Sequence, residues 1–379
     1  MAIKVAVPKE TRPGERRVAL VPGVLKQFGK LGVELLLESG AGEGAGFDDA
    51  EYEAGGVRIV QSRDELLKEA DVLLSVQPLS VKETGQLKEG AVLVSFLTPH
   101  EGDERIQTLC KRKVSSFAME LVPRITRAQS IDALSSQAAA AGYKAALIAA
   151  ERSPRFFPML TTAAGTIRPA KAVVVGAGVA GLQAIATCRR LGAQVEGYDV
   201  RPETKEQVES LGAKFIDTGV SAVGEGGYAR ELTAEEQQQQ AEVLANHVAN
   251  AHVVVTTAAI PGRPAPKIID KATVERMGGG TVIVDMAAET GGNCEVTKAG
   301  KDVNHNGVLV VGPKNLPASV AVHTSEMYSK NLYNLLTLMI QEGELTLNWD
   351  DQVIADTCLT HDGQVRHGAT RERLEGGKS

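Results

Sequence analysis

The sequence predicts an α/β protein of two doubly wound domains, each with a parallel sheet, joined by long helices. Three observations carry this. Short β-branched runs alternate with amphipathic stretches, the pattern of parallel sheets covered on both faces. One run enters a glycine-rich turn and then a helical stretch. The 379 residues, at roughly 150 per domain, allow two cores.

The first series of strands is KVAVP from Lys4, VELLLE from Val33, VRIV from Val57, DVLLSV from Asp71, VLVSF from Val92 and SSFAM from Ser115. The second is AVVVG from Ala172, QVEGYD from Gln194, AKFID from Ala213, HVVVTT from His252, TVIVDM from Thr281 and VLVVG from Val308. Six strands in this rhythm match a complete dinucleotide fold. Between the series, the Ala-rich stretch IDALSSQAAAAGYKAALIAAERS predicts one rigid helix from near Ile131 to about Glu151. Near the end, SVAVHTSEMYSKNLYNLLTLMIQEG places Leu332, Leu335, Leu336 and Met339 on one face and predicts a second long helix, returning the chain to the first domain. The domains so drawn are 1–133 with 322–379, and 134–321. After Asp350 the tail has charge and Gly without periodicity, which predicts partial order at best.

Composition removes several function classes. A net charge of −6 and a sequence pI of about 5.8 argue against a polyanion partner such as nucleic acid. The 43% apolar and 23% charged content is globular rather than disordered. Cys110, Cys188, Cys294 and Cys358 lie too far apart for a metal cluster, and a chain of this length needs no disulfide staples, so the sequence predicts a reducing cytosol and no metal. The start, MAIKVAVPKE, lacks a basic region followed by an apolar core, so no signal peptide is predicted. The uncharged run Ala172 to Cys188 holds three glycines and a Gln and belongs to the glycine turn, so no membrane span is predicted.

That turn, AVVVGAGVAGLQAIA, carries the strongest chemical signal. Gly176 allows a tight turn, Gly178 lets a pyrophosphate approach the backbone, and Gly181 lets the helix pack closely on the strand, while unpaired N–H groups at the helix start face the phosphates. The fold so marked is Rossmann-like, with Val179 beside the turn. Asp199 ends the next strand, eighteen residues after Gly181, where a carboxylate accepts hydrogen bonds from the adenosine ribose and repels a 2′-phosphate. This favours NAD, although Arg201, just beyond Val200, is a residue type that accommodates the extra phosphate of NADP. GEGGYAREL from Gly224, with Gly227 and Tyr228, predicts a mobile loop that closes over the nucleotide. Ala258 and Ala259 follow the HVVVTT strand, at the carboxyl end where ligands bind in open sheets.

Several strings together resemble one family: VPKETRPGERRVALVP, PRITRAQSIDALSSQ, VVVGAGVAGLQAIATCRRLGAQVEGYDVR, GGYAREL, TTAAIPGRPAPKII and VDMAAETGGNCE. They resemble the NAD(H)-binding domain I of proton-translocating nicotinamide nucleotide transhydrogenase, and more loosely alanine dehydrogenase. A chain of this extent resembles the α1 subunit of the multi-subunit bacterial form. The resemblance implies a nicotinamide-side loop of Arg124, Gln129, Asp132 and Ser135. Gln and Ser hydrogen-bond a carboxamide or ribose, and an Arg–Asp pair fixes the loop or reaches the partner's nucleotide. The plain reading of Asp132 and Ser135, in the first turn of the long helix, is capping. The resemblance further implies NAD(H) on this chain, NADP(H) on a partner subunit, membrane-spanning subunits that move protons, a homodimer, and attachment through partners to the cytoplasmic face of the inner membrane.

Acid–base chemistry separates the two relatives. Alanine dehydrogenase moves a proton as well as a hydride and uses an Arg, a Lys, a His and an Asp, as the resemblance implies. Arg17 matches the Arg, but Gln77 stands at the Lys position, no His occurs in VSFLTP, His100 is out of register, and Glu289 stands at the Asp position. Direct hydride passage between two nicotinamide rings needs proximity and orientation instead. The sequence therefore favours a transhydrogenase subunit, over an alanine dehydrogenase-like oxidoreductase and over a non-catalytic NAD-binding module.

Overall fold

The computed structural model describes residues 2–220, 233–259 and 262–376. It divides into two compact units, Met1–Gln137 with Ala318–Ser379, and Ala138–Pro317. Each crossing lies four residues from the boundary drawn from the sequence. Along the chain the strands are β1 (Lys4–Val7), β2 (Glu34–Glu38), β3 (Arg58–Val60), β4 (Val72–Leu74), β5 (Val92–Ser95) and β6 (Ser115–Ala118). The second unit contributes β7 (Leu160–Thr162), β8 (Gly165–Ile167), β9 (Lys171–Val175), β10 (Gln194–Tyr198), β11 (Lys214–Phe215), β12 (Val253–Thr256), β13 (Val282–Asp285), β14 (Asp302–His305) and β15 (Val308–Val311). Back in the first unit come β16 (Ile340–Gln341), β17 (Glu344–Leu345), β18 (Cys358–His361) and β19 (Gln364–Val365).

In the first unit the sheet runs β19-β18-β6-β5-β4-β1-β2-β3. The strands from β1 to β6 are parallel, in register through pairs such as Val5↔Leu35 and Val5↔Val72. Every residue of β4, β5 and β6 is buried, as a sheet covered on both faces requires. The two-residue strand period sorts the core. Val5, Leu37, Val72 and Val94 pack with Phe28, Tyr328 and Leu332 on one face, and Ala6, Leu36, Leu73 and Leu93 pack with Leu66 and Leu109 on the other.

The second sheet, β11-β10-β9-β12-β13-β15-β14, is parallel except for β14. Val174, Val255 and Val284 face one layer, Val173, Val254 and Ile283 the other. All twelve strands read from the sequence are present in the doubly wound arrangement.

Two expectations are corrected. The tail after Asp350 is well formed: helix Gln352–Thr357, the antiparallel β18 and β19, and helix Gly368–Gly376. β18 pairs with β6 through Cys358↔Phe117, and Leu359 is fully buried. Its order comes from a sheet edge more than two hundred residues away, which leaves no local periodicity. The return helix spans Ala321–Leu336 and ends short of Met339. Leu332, Leu335, Leu336 and Met339 are all buried, but Ile340–Gln341 already pairs in a hairpin with β17, turning through Glu342 and Gly343 at positive φ. The connecting helix spans Ala133–Arg152.

Candidate functional site

In the second unit the strand order reverses between β9 and β12, which opens the crevice that such sheets use for ligands. β9 leads into the glycine turn. Gly176 has φ +97°, and a Cβ there would lie 2.5 Å from Thr257 Oγ1. A Cβ on Gly181 would lie 1.8 Å from the Gly176 carbonyl oxygen, so only glycine lets the helix Val179–Arg190 approach the strand. Gly178 is the residue capping that helix, has open space around it, and provides no side-chain cap. The first N–H groups of the helix are therefore available to an anion. Beneath them, the connecting helix touches this helix closely: a Cβ on Gly142 would lie 2.0 Å from the Ala180 carbonyl oxygen.

Asp199, at the end of β10, is 8% exposed. Its Oδ2 accepts from the Ala177 N–H at 2.7 Å and from Arg201 Nη2 at 3.1 Å; its Oδ1 accepts from the Arg201 N–H and Nε, both at 3.0 Å. Burial pushes this carboxyl up, but the bonds from Arg201 and Ala177 outweigh it and hold the group below the usual carboxylate range. Arg201 is thus paired with Asp199. Val179 and Val200, 45% and 65% exposed, flank the turn with apolar surface. Gly227 and Tyr228 lie outside the described residues.

Ala258 and Ala259 do follow β12. The buried Asn293 side chain accepts from the Ala258 N–H at 3.1 Å and donates to the Ala258 carbonyl oxygen at 2.8 Å, and Thr257 Oγ1 donates to the Gly176 carbonyl oxygen at 3.0 Å. Sequence reasoning missed Thr257 and Asn293. The only available signal for Asn293 was a polar residue after two glycines, which also describes an ordinary turn.

In the first unit, Arg124 and Gln129 are exposed, and their side chains form no hydrogen bond with any described residue. The loop behind them is anchored. The Ser130 carbonyl oxygen accepts from the Asn331 and Asn334 side-chain amides at 2.9 and 3.0 Å, Arg127 makes a bidentate pair with Asp351, and Ala128 and Ile131 are buried. Asp132 immediately precedes the connecting helix. Its carboxylate accepts from the Ser135 N–H at 2.9 Å and from Ser135 Oγ at 2.6 Å. These two are brought together as a helix cap; Arg124 and Asp132 are not brought into an ion pair. Asn331, Asn334 and Asp351 were invisible as loop supports because they lie some two hundred residues downstream.

Arg17 is 4% exposed. Its Nε and Nη2 donate to Glu15 at 2.8 and 2.7 Å, its Nη1 donates to Gln137 Oε1 at 2.8 Å, and Gln77 Nε2 donates to Glu15 Oε2 at 2.7 Å. Burial would raise the Glu15 carboxyl, but the Arg17 and Gln77 bonds outweigh it and bring the group down to about 2. Glu289 Oε2 accepts from the Asn315 N–H at 2.9 Å.

Comparison with known proteins identifies the family. Residues 6–141 match the family described as alanine dehydrogenase/PNT, N-terminal domain, and residues 145–368 match its C-terminal domain. The chain is 45% identical over 378 residues to an NAD(P) transhydrogenase subunit alpha chain of Rhodospirillum rubrum, covering 97% of this chain and 98% of that one. It is 25% identical to the alanine dehydrogenase of Mycolicibacterium smegmatis over 378 residues, covering 98% and 96%. The crystal structure of transhydrogenase from Sinorhizobium meliloti superposes with a TM-score of 0.87 at 45% identity, covering 96% of this chain and 99% of that one. With both domains of one family matched in sequence order and with close relatives aligned over nearly their whole length, the chain belongs to the alanine dehydrogenase/PNT family.

Proposed function

We propose that this chain is the NAD(H)-binding subunit of a proton-translocating transhydrogenase. It holds NADH so that a hydride passes to NADP+ on a separate subunit, and membrane-spanning subunits couple that transfer to proton movement. The observation that carries this reading is the hydrogen-bond network that joins Arg17, Glu15, Gln137 and Gln77. In an alanine dehydrogenase this arginine would clamp a substrate carboxylate beside a titrating lysine. Here three of its five N–H groups donate to Glu15 and Gln137, and Gln77, which carries no transferable proton at neutral pH, stands where the lysine would be.

The second unit fits the dinucleotide. The space at Gly178 and the uncapped helix start suit a pyrophosphate, and Asp199 suits a ribose hydroxyl. The bound NADH supplies the hydride. Arg124 and Gln129 offer free donors on an anchored loop, and in this reading Gln129 orients the nicotinamide carboxamide while Asp132 and Ser135 hold the loop against the helix start. Val179, Val200, Ala258 and Ala259 border the nucleotide. No helix among the described residues is long and apolar enough to cross a membrane. We assign proton movement to partner subunits that hold this chain at the cytoplasmic face of the inner membrane, and we assign the chain a homodimeric state.

The test mixes the purified chain with an NADP(H)-binding partner subunit and follows hydride transfer between nicotinamide analogues. Transfer that requires both proteins is expected. Pyruvate- and ammonia-dependent NADH oxidation by the chain alone would establish an alanine dehydrogenase instead, and NADH binding without any transfer would indicate a non-catalytic module.

A further inference from the structure

In the first unit the parallel strand order reverses between β1 and β4, with β2 and β3 on one side and β5 and β6 on the other. Such a reversal opens a crevice at the carboxyl ends of the strands. A cavity of about 290 Å³ lies there, lined by residues 8–12 after β1, by Ser75 and residues 77–81 after β4, and by Arg63, Glu83 and Arg105. Its cations are unequally matched. Lys9 pairs with Glu43, and Arg63 with both Glu38 and Glu83. Arg12 and Arg105 form no ion pair with any described residue. Arg12 donates only to Gln77 Oε1, at 3.2 Å.

Arg105 is 9% exposed. Its Nη2 donates to the Leu97 carbonyl oxygen at 2.6 Å and to Thr98 Oγ1 at 2.9 Å, while Nε is buried with no partner. Its guanidinium lies over Gly102, where a Cβ would come within 2.6 Å of Nη2, so the approach depends on glycine. Burial, followed by the charge of Arg12, draws Arg105 below its ordinary value, with Glu120 and Glu101 opposing. Two guanidinium groups therefore line one cavity, neither of them in an ion pair with a described residue. A buried cation without an ion-pair partner is stabilised by an arriving counter-charge.

We propose that this cavity is an oxyanion site in which Arg12 and Arg105 hold a phosphate-sized dianion, either free or as the terminal group of a small metabolite. Two unpaired cations match two negative charges, and two guanidinium forks offer more donors than the two oxygens of a carboxylate can accept. Glu10, also in the wall, has its carboxylate bonded to the Val76 and Gln77 N–H groups. Arg17 is not part of the lining, whereas Gln77, at the lysine position of alanine dehydrogenase, is, so this cavity borders the place of that enzyme's substrate clamp. The inference is independent of the transhydrogenase reading.

The test is a titration of the full chain with inorganic phosphate at fixed ionic strength, with chloride as control, read by phosphorus NMR line broadening. Saturable binding is expected, weakened about tenfold or more by Arg12→Gln with NADH affinity unchanged. Arg12 is exposed, so this substitution leaves the core intact, and Arg105→Lys serves as a second variant. Glycerol 3-phosphate binding more tightly than phosphate would identify a metabolite-borne group; weaker binding would identify free phosphate. Absence of saturable binding, equal binding by Arg12→Gln, or binding of pyruvate but not phosphate would overturn the proposal.

Discussion

An ionised carboxylate offers about four lone-pair positions, and in Asp199 all four are used, one by Ala177 and three by Arg201. In the proposed binding mode a ribose hydroxyl displaces the Arg201 guanidinium, which is half exposed. Arg201→Ala should leave NADH affinity equal or higher without raising NADPH affinity, whereas Asp199→Ala should weaken NADH and relax the discrimination; fluorescence titration with both nucleotides checks this. A gain of NADPH binding in Asp199→Ala that depends on Arg201 would fit the same scheme, and an unchanged preference would remove the role of Asp199. Glu10 makes a different residue-scale prediction. Burial raises its carboxyl to about 7, opposed by the Val76 N–H and aided by the charge of Glu15. Its folded value lies above the ordinary 4.5, so its contribution is complete below that value and is lost as pH rises through about 7. Thermal stability should fall between about pH 5 and 7 and level off above, and Glu10→Gln should flatten that slope. Glu15, brought down to about 2, acts in the opposite window: its contribution holds above 4.5 and is lost as pH falls toward about 2.

Elements whose burial follows their own sequence were legible, and those whose order is borrowed were not. β4, β5, β12 and β13 are wholly buried, so their apolar runs announce them. β14 is a polar edge strand, DVNH, and β18 takes its place from β6; neither has a local pattern to read. The site divides in the same way. Gly176, Gly178 and Gly181 are spelled out by spacing, whereas Thr257 and Asn293 act through contacts 81 and 35 residues away. The connecting helix was legible as a helix, but not its close seat on Ala180. Gly142→Ala should push it outward, destabilising the chain by about 1–3 kcal/mol and weakening NADH, while Gly278→Ala, at a position with open space, should do neither; denaturant melts and nucleotide titration of both variants decide this. The β7–β8 hairpin region exposes Phe156, Met159 and Ile167 at 55%, 64% and 46%, more apolar surface than a hairpin with fully exposed strands needs. If it is the dimer contact, Met159→Lys should shift sedimentation toward monomer, and an unaltered dimer would place the contact elsewhere.

In the proposed function, binding rests on the uncapped helix start and Asp199 in the second unit, and transfer on Arg124 and Gln129 in the first. The two groups should then fail in different ways. Gln129 has a free side chain on a backbone held at Ser130 by Asn331 and Asn334 and at Arg127 by Asp351, so the chain fixes its position while leaving its amide available. Shortening it by one methylene in Gln129→Asn withdraws that amide by more than an ångström without disturbing the anchors. A misplacement of that size costs roughly a hundredfold in a reaction governed by orientation. Transfer to the partner's NADP+ should slow by roughly ten- to a hundredfold while NADH affinity stays within about twofold. Replacing Asn331 and Asn334 together by Ala should reproduce part of that loss by loosening the loop, again with binding preserved. Asp199→Ala should show the reverse, weakened NADH binding with a transfer rate restored at saturating nucleotide. Stopped-flow transfer at several NADH concentrations separates the patterns. Equal losses of binding and transfer in Gln129→Asn would mean that the side chain contributes uniform binding alone, and the orienting role would pass to Arg124 or Ser135.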